Sequence, residues 1–300
     1  MYSLMTHNDL DACGCILNLE QKVKFTNIYS TGYYDFDTVV NDILLNCEDD
    51  YLIIADVCFS QKKEFLLKLY NKFKKIIFID HHLYPENFFN DFPNMKVIYD
   101  TSKCATLLCN EHFQILDPKL KEFSERVNVY DIWVSEDKRF TKMLYLNEYF
   151  WQLRKTLSLR DSALKLLNLD KNEYSEWLTK YITEKENTIK KFREEGIIQN
   201  IGDLTFVLTR QYFNFILVEE MQNGKEFVVA INKGVFGVRI KSSSTLSKLQ
   251  KDKLRELLTG GQQGHENCFT YKIESSSDFE SVRNEMKRIC ECIETVRSLN

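Results

Sequence analysis

The segment Ile76-Ile77-Phe78-Ile79-Asp80-His81-His82 constrains this chain more than any other. Four apolar residues of strand character run without a break into one carboxylate and two imidazoles. An unbroken apolar run of this length suits a strand covered on both faces, as in a parallel sheet. In such sheets the polar groups that bind ligands gather at the carboxyl ends of the strands. Two further runs end alike: Tyr2-Ser3-Leu4-Met5-Thr6 leads into His7, Asp9 and Asp11, and Tyr51-Leu52-Ile53-Ile54-Ala55 leads into Asp56. Three strand ends with the same chemistry predict one site.

Strand-like segments at 2–6, 24–29, 51–55, 75–79 and 96–99 alternate with helix-like ones over roughly the first 135 residues. Helices are expected over 60–72, with Phe65, Leu66 and Leu69 on one face, and from about 103 to 114, with Thr101 and Ser102 placed to cap the second. The rhythm predicts an α/β fold, a parallel sheet with helices on both faces. From about 136 to 200 the strand signal stops, and 160–196 reads as a charged helical stretch. The expected division is a metal-binding domain over 1–150, a helical connector over 151–200 and a smaller α/β domain with a mixed sheet over 201–300. A shell around the first domain is the plainer reading of the helical stretch. Strands return at 204–209, at 227–232 and 235–241 (a hairpin through Lys233-Gly234), and at 268–273. An amphipathic helix over 278–298, with Phe279, Val282, Met286, Ile289, Ile293 and Val296 on one side, closes the chain.

Composition narrows the function classes. With 44% apolar and 28% charged residues the chain reads as a soluble globular protein. No apolar run nears the ~20 residues needed to span a bilayer, and His7 and Asp9 come too early for a signal peptide. Nine cysteines without a Cys-x-x-Cys pair fit reduced thiols in a cytoplasmic protein, mostly filling its core. A net charge of −4 argues against a stable complex with long nucleic acid, which runs on a strongly basic surface. It leaves room for a small phosphorylated substrate in a locally positive pocket.

Taken singly, Asp9 is an ordinary helix cap and His7 an ordinary surface histidine. Their joint spacing, His7-x-Asp9-x-Asp11 just beyond a strand, places three ligand-type side chains on one side of a continuing extended backbone. Acidic groups that close call for a cation between them. Asp56 follows an apolar run, where a buried carboxylate has to be paired, hydrogen-bonded or metal-bound. Asp80, His81 and His82 extend the set, as does Asp131 in Val127-Asn128-Val129-Tyr130-Asp131-Ile132-Trp133, for which a helix cap is the plain alternative. Oxygen ligands with a few imidazoles and no thiolate favour manganese or magnesium over structural zinc. Two such ions bridged by a carboxylate are a general device for phosphoester hydrolysis by an activated water.

In order and rough spacing, His7-Asn8-Asp9-Leu10-Asp11, Ala55-Asp56, Asp80-His81-His82 and Asp131 resemble the four motifs of the DHH phosphoesterase superfamily. Arg239 and Gly260-Gly261-Gln262-Gln263-Gly264-His265 resemble the DHH-associated substrate-binding domain of its RecJ-like and oligoribonuclease (nanoRNase) branch. The resemblance implies two manganese ions, one held by His7, Asp9 and Asp56, the other by Asp11, Asp56, His81 and Asp131, with Asp56 bridging. It implies that His82 faces the scissile phosphate and that Asp80 orients the adjacent imidazole. Arg239, with Gly260, Gly261, Gly264 and His265, would bind substrate phosphate. The activity implied is a manganese-dependent phosphodiesterase releasing 5′-mononucleotides from short RNA or DNA, and a homodimer is compatible with it. The nearest alternatives are a signalling-dinucleotide phosphodiesterase and a 3′-phosphoadenosine 5′-phosphate phosphatase. A non-catalytic nucleotide sensor is the alternative from another class. Two departures from the family pattern bear on the pocket. Ala12 stands where glycine is usual, and Gln262 and Gln263 interrupt a run whose glycines would let backbone N–H groups approach phosphate. A turn without a ligand is the plain reading of that loop.

Overall fold

The computed structural model describes residues 1–32, 35–195, 197–202, 204–208, 219–232, 235–241, 243–259, 267–272 and 279–299. They divide into two compact units, 1–132 with 139–171 and 133–138 with 172–300. The segment expected as a connector is therefore split between them. Among the described residues no helix is long and apolar enough to cross a membrane.

In the first unit, β1 (Tyr2–His7), β2 (Phe25–Thr31), β3 (Tyr51–Ala55), β4 (Lys75–Asp80) and β5 (Lys96–Tyr99) form a parallel sheet in the order β2-β1-β3-β4-β5. The inner runs are continuous because both faces are covered. Met5, Leu52, Ile54, Ile76 and Phe78 share a core with residues of α2 (Phe36–Asn46) and α3 (Lys63–Lys72). The alternate residues Leu4, Ile53, Ile77 and Ile79 are buried too, on the opposite face. α1 (Leu10–Leu19), α4 (Ala105–His112), α5 (Pro118–Asp131) and α7 (Leu159–Leu167) pack on one another, and α6 (Phe140–Leu153) joins them. Each large apolar side chain removed from water in this way contributes ~1.5–3 kcal/mol.

The strand order sets the site. From β1 the chain passes to β2 on one side and then crosses to β3 on the other. The carboxyl ends of β1 and β3 thus flank the point where the winding reverses, which leaves a crevice beyond the strands.

Two helix starts are organised around that crevice. The N-cap of α4 is Cys104, which makes no side-chain capping bond. The expected caps, Thr101 and Ser102, do not serve it, and Ser102 donates instead to Asp100. The cap comes from far along the chain: Asp11 accepts the Ala105 N–H at 2.9 Å and the Thr106 N–H at 2.8 Å. The Thr106 hydroxyl in turn donates to the Asp11 carbonyl at 2.6 Å. This docking of α4 on α1 requires Gly14, since a Cβ there would lie 2.1 Å from Thr106 Oγ1.

In the second unit, the long helix α8 (Lys171–Glu194) precedes β6 (Ile198–Ile201), β7 (Leu204–Leu208), β8 (Phe227–Asn232), β9 (Val235–Ile240) and β10 (Cys268–Lys272). The sheet runs β10-β9-β8-β7-β6 and is parallel only between β7 and β8, a mixed sheet as expected. β8 and β9 pair antiparallel, and the Lys233-Gly234 turn lies outside the described residues. α9 (Lys248–Thr259) and α10 (Phe279–Arg297) contribute Leu254, Ile289 and Ile293 to a core shared with Phe206, Val229, Phe236 and Val238.

Gly14→Ala is expected to lower the unfolding free energy by ~1–3 kcal/mol, the usual cost of forcing atoms into a packed contact. The shift of the urea midpoint at unchanged slope measures it.

Candidate metal centre

β1 ends at His7, and the chain turns at once into α1. Asp9 is its N-cap, with its side chain accepting the Ala12 N–H at 3.1 Å, and Asp11 lies in the first turn. His7, Asp9 and Asp11 therefore converge through a strand-to-helix turn, not through alternation along a continuing strand. His7 Nδ1 lies 2.6 Å from Asp9 Oδ2. Asp56, the residue after β3, adopts φ 60° while its N–H bonds to the Ile79 carbonyl at 2.9 Å. This left-handed conformation is tolerated by aspartate better than by most residues. Asp80 closes β4, and His81 and His82 follow it. Asp131 is the last residue of α5. A carboxylate at a helix carboxyl end opposes the helix dipole, so Asp131 is not there as a cap.

Ligand-type atoms fall into three groups, each within 4.8 Å: His7, Asp9 and Asp56; Asp11, His81 and Asp131; and Asp56, Asp80, His81 and His82. His81 is the common neighbour. Its Nε2 lies 3.3 Å from Asp56 Oδ1, 3.4 Å from Asp131 Oδ2 and 3.6 Å from Asp11 Oδ2. Asp56 Oδ2 is buried with no hydrogen-bond partner among the described residues. A buried acceptor without a donor, among hard oxygens and imidazoles, fits a divalent cation.

Electrostatics point the same way. Burial, and then the charges of Asp9, Asp11, Asp131 and Asp80, push the Asp56 carboxyl well above its ordinary range. Burial, followed by Asp11, Asp9 and Asp80, does the same to Asp131. Burial also pushes His81 down, with His82 adding to the shift, so His81 is a poor cation and a good neutral ligand. Burial opposes charge at Asp9 as well, but the charge and hydrogen bond of His7 outweigh it and hold Asp9 low.

Asp80 is fully buried, and its side chain pairs with His82. Its Oδ1 meets His82 Nδ1 at 2.7 Å and accepts the His81 main-chain N–H at 2.8 Å. The side-chain bond thus goes to His82, and a main-chain bond to His81. Burial lowers the His82 pKa, yet the Asp80 charge and hydrogen bond more than reverse this. Behind Asp80 stands Tyr84, a residue the sequence reading passes over. Its hydroxyl donates to Asp80 Oδ2 and accepts the Phe59 N–H at 3.1 Å. The Ala105 and Thr106 N–H groups were missed likewise, since nothing local announces a cap that serves a residue over ninety positions away.

Arg239 belongs to the second unit, on β9, 7% exposed, with its guanidinium 4.8 Å from the Trp133 ring centre. Gly260, Gly261, Gly264 and His265, together with Gln262 and Gln263, lie outside the described residues.

No family model and no curated protein matches the sequence. Solved structures do. A pGpG-specific phosphodiesterase, PggH, from Vibrio cholerae aligns over 97% of this chain and 99% of its own at 16% identity, with a TM-score of 0.54. RecJ in complex with Mn2+ from Thermus thermophilus aligns over 98% of this chain and 52% of its own at 12% identity, with a TM-score of 0.59. An exonuclease RecJ bound to manganese aligns over 100% and 90% at 13% identity, with a TM-score of 0.53. The chain shares the fold of these phosphodiesterase and exonuclease structures.

A carboxyl whose folded pKa is raised favours the folded state while protonated, and that contribution is lost as pH rises through the folded value. Asp56→Asn removes the loss. Without metal the variant is expected to melt above wild type, by a margin that widens as pH rises past about 4. Mn2+ is expected to raise the melting temperature of wild type and to leave that of the variant unchanged. Thermal scans across pH with EDTA or Mn2+ check both.

Proposed function

We propose that this chain is a manganese-dependent phosphodiesterase that cleaves linear dinucleotides and other short oligonucleotides to 5′-mononucleotides. The observation that carries the reading is the set of overlapping ligand groups joined at Asp56 and His81. It lies at the winding reversal of a fold shared with PggH and the manganese-bound RecJ structures. The alignment spans 99% of PggH, a pGpG-specific phosphodiesterase, and that supports a small substrate. Cysteines that are all unbridged support a reducing cytoplasm.

In this reading His7, Asp9 and Asp56 hold one ion, and Asp11, Asp56, His81 and Asp131 hold the other. Such a pair, when bound, activates a water and neutralises charge on the phosphate under attack. Magnesium suits the same donor set less well, because imidazole is a poor magnesium ligand. The protein's own part is positional. α4 fixes Asp11 through two N–H groups, and His7 fixes Asp9. His82, favoured in its protonated form by Asp80, donates a hydrogen bond to the oxygen that gains charge. Arg239 presents a guanidinium fork to a substrate phosphate, with Gly260, Gly261, Gly264 and His265 completing that contact.

Purified protein with Mn2+ is expected to convert pGpG and labelled di- to pentaribonucleotides to 5′-mononucleotides. Absence of turnover on all of them, with bound metal verified, overturns the reading. Asp80→Ala is expected to lower activity ~10–100-fold, as removal of a supporting carboxylate does, and His81→Ala more. Arg239→Ala is expected to raise KM more than it lowers kcat.

A further inference from the structure

Away from the metal ligands, the first unit has an open cleft of about 1120 Å³ along the outer edge of β2. The end of α1 and the start of α7 form its other wall. Four cations line it: Lys22, Lys24, Arg154 and Arg160. The single carboxylate in the lining, Glu20, is taken by Arg160 Nε at 2.6 Å. Four cations less one carboxylate leave a local charge of +3 on a chain whose total is −4. Lys22, Lys24 and Arg154 have no carboxylate partner among the described residues. Between the cations stand the hydroxyls of Thr26, Ser30 and Ser158. β2 is an edge strand of its sheet, so its outer N–H groups pair with no other strand there. Val23, Phe25, Ile28 and Leu159 also line the cleft. A wall of cations and hydroxyls set among them, with its one acid already paired, takes anions; separated donors of these kinds are how proteins hold phosphate oxygens along a strand of nucleic acid.

The direction of the cleft says which anion. In the β1–β2 register Ser30 lies opposite Thr6, the residue before His7. One end of the cleft therefore adjoins the strand end that carries the first metal ligand. Lys24 marks the other end, six residues away, or ~20 Å at the rise of an extended strand. An acidic peptide would satisfy the charge, but nothing would tie it to the ligand end of β1. A nucleotide chain held at the metal centre has a reason to lie there.

We propose that this cleft is a binding track for the phosphate backbone of an oligonucleotide, holding the part of the chain that extends beyond the linkage being cleaved. The proposal rests on the phosphodiesterase reading and deepens it. A dinucleotide needs only the metal centre, whereas a pentanucleotide also engages Lys22 and Lys24.

The test is Lys22→Ala/Lys24→Ala, at two positions outside the metal centre. Fluorescence anisotropy with a labelled phosphorothioate pentanucleotide in Mn2+ should show binding weakened by about fivefold or more, with a shallower salt dependence, by ~0.7 in the log–log slope per lost contact. Turnover of pGpG by the same variant should match wild type. Unchanged pentanucleotide binding overturns the track, as does equal weakening for pGpG and the pentanucleotide. Equally tight binding of a polyglutamate peptide by wild type, lost in the variant, also overturns it and assigns the cleft to acidic peptides. Wild-type turnover of pGpG separates the two failures. If it is present and the variant is unaffected, only the track falls; if wild type turns over neither pGpG nor any di- to pentaribonucleotide, the phosphodiesterase reading falls with it.

Discussion

Five aspartates converge on one crevice, and the arrangement holds only because positive or proton-donating groups are placed against them. Asp9 has His7, Asp11 has the first turn of α4, and Asp80 has His82 and Tyr84. Asp56 and Asp131 share His81, whose burial suppresses its own charge. The surplus negative charge therefore settles on these two carboxyls. A proton or a cation can neutralise it, and a divalent ion would also give the buried Asp56 Oδ2 a partner. A cation bound there would be linked to folding of the first unit for this reason.

The surrounding scaffold can be read as what keeps these charges in place. Reversal of winding between β1 and β3 puts two ligand-bearing strand ends side by side. The missing Cβ at Gly14 lets α4 approach closely enough for its amides to reach Asp11. Tyr84 ties the loop after β3, through the Phe59 N–H, to the Asp80 carboxylate. Each of these is a packing or hydrogen-bonding decision with a consequence at the candidate metal centre.

Much of this was legible in the chain because the informative residues sit where rules are local. The inner strands β1, β3 and β4 are buried on both faces, so they appear as plain apolar runs, and their polar termini announce the crevice. Helix α1 carries no such mark: all ten of its residues are buried, leaving no polar stripe to reveal a period. The start of α4 misleads for a related reason. Thr101 and Ser102 obey the local capping rule, yet the cap is Asp11, which only the tertiary fold brings near. The strand β6 escapes because it is short and mostly exposed at a sheet edge, with no apolar run to read. Asp131 was readable as a carboxylate but not as a helix end, since helix boundaries depend on contacts far from the residue.

Asp56 combines two demands that are separable in kind. Its carboxylate serves the charge balance, while its backbone occupies the left-handed region at φ 60°. Glycine and asparagine satisfy the second demand without the first. Descendants of this chain that abandoned metal would be under no pressure to keep the acid, yet the turn after β3 would still exclude β-branched and bulky side chains. Asparagine or glycine at this position is thus the trace that decay of the chemistry would leave, with the shape of the turn outlasting its charge.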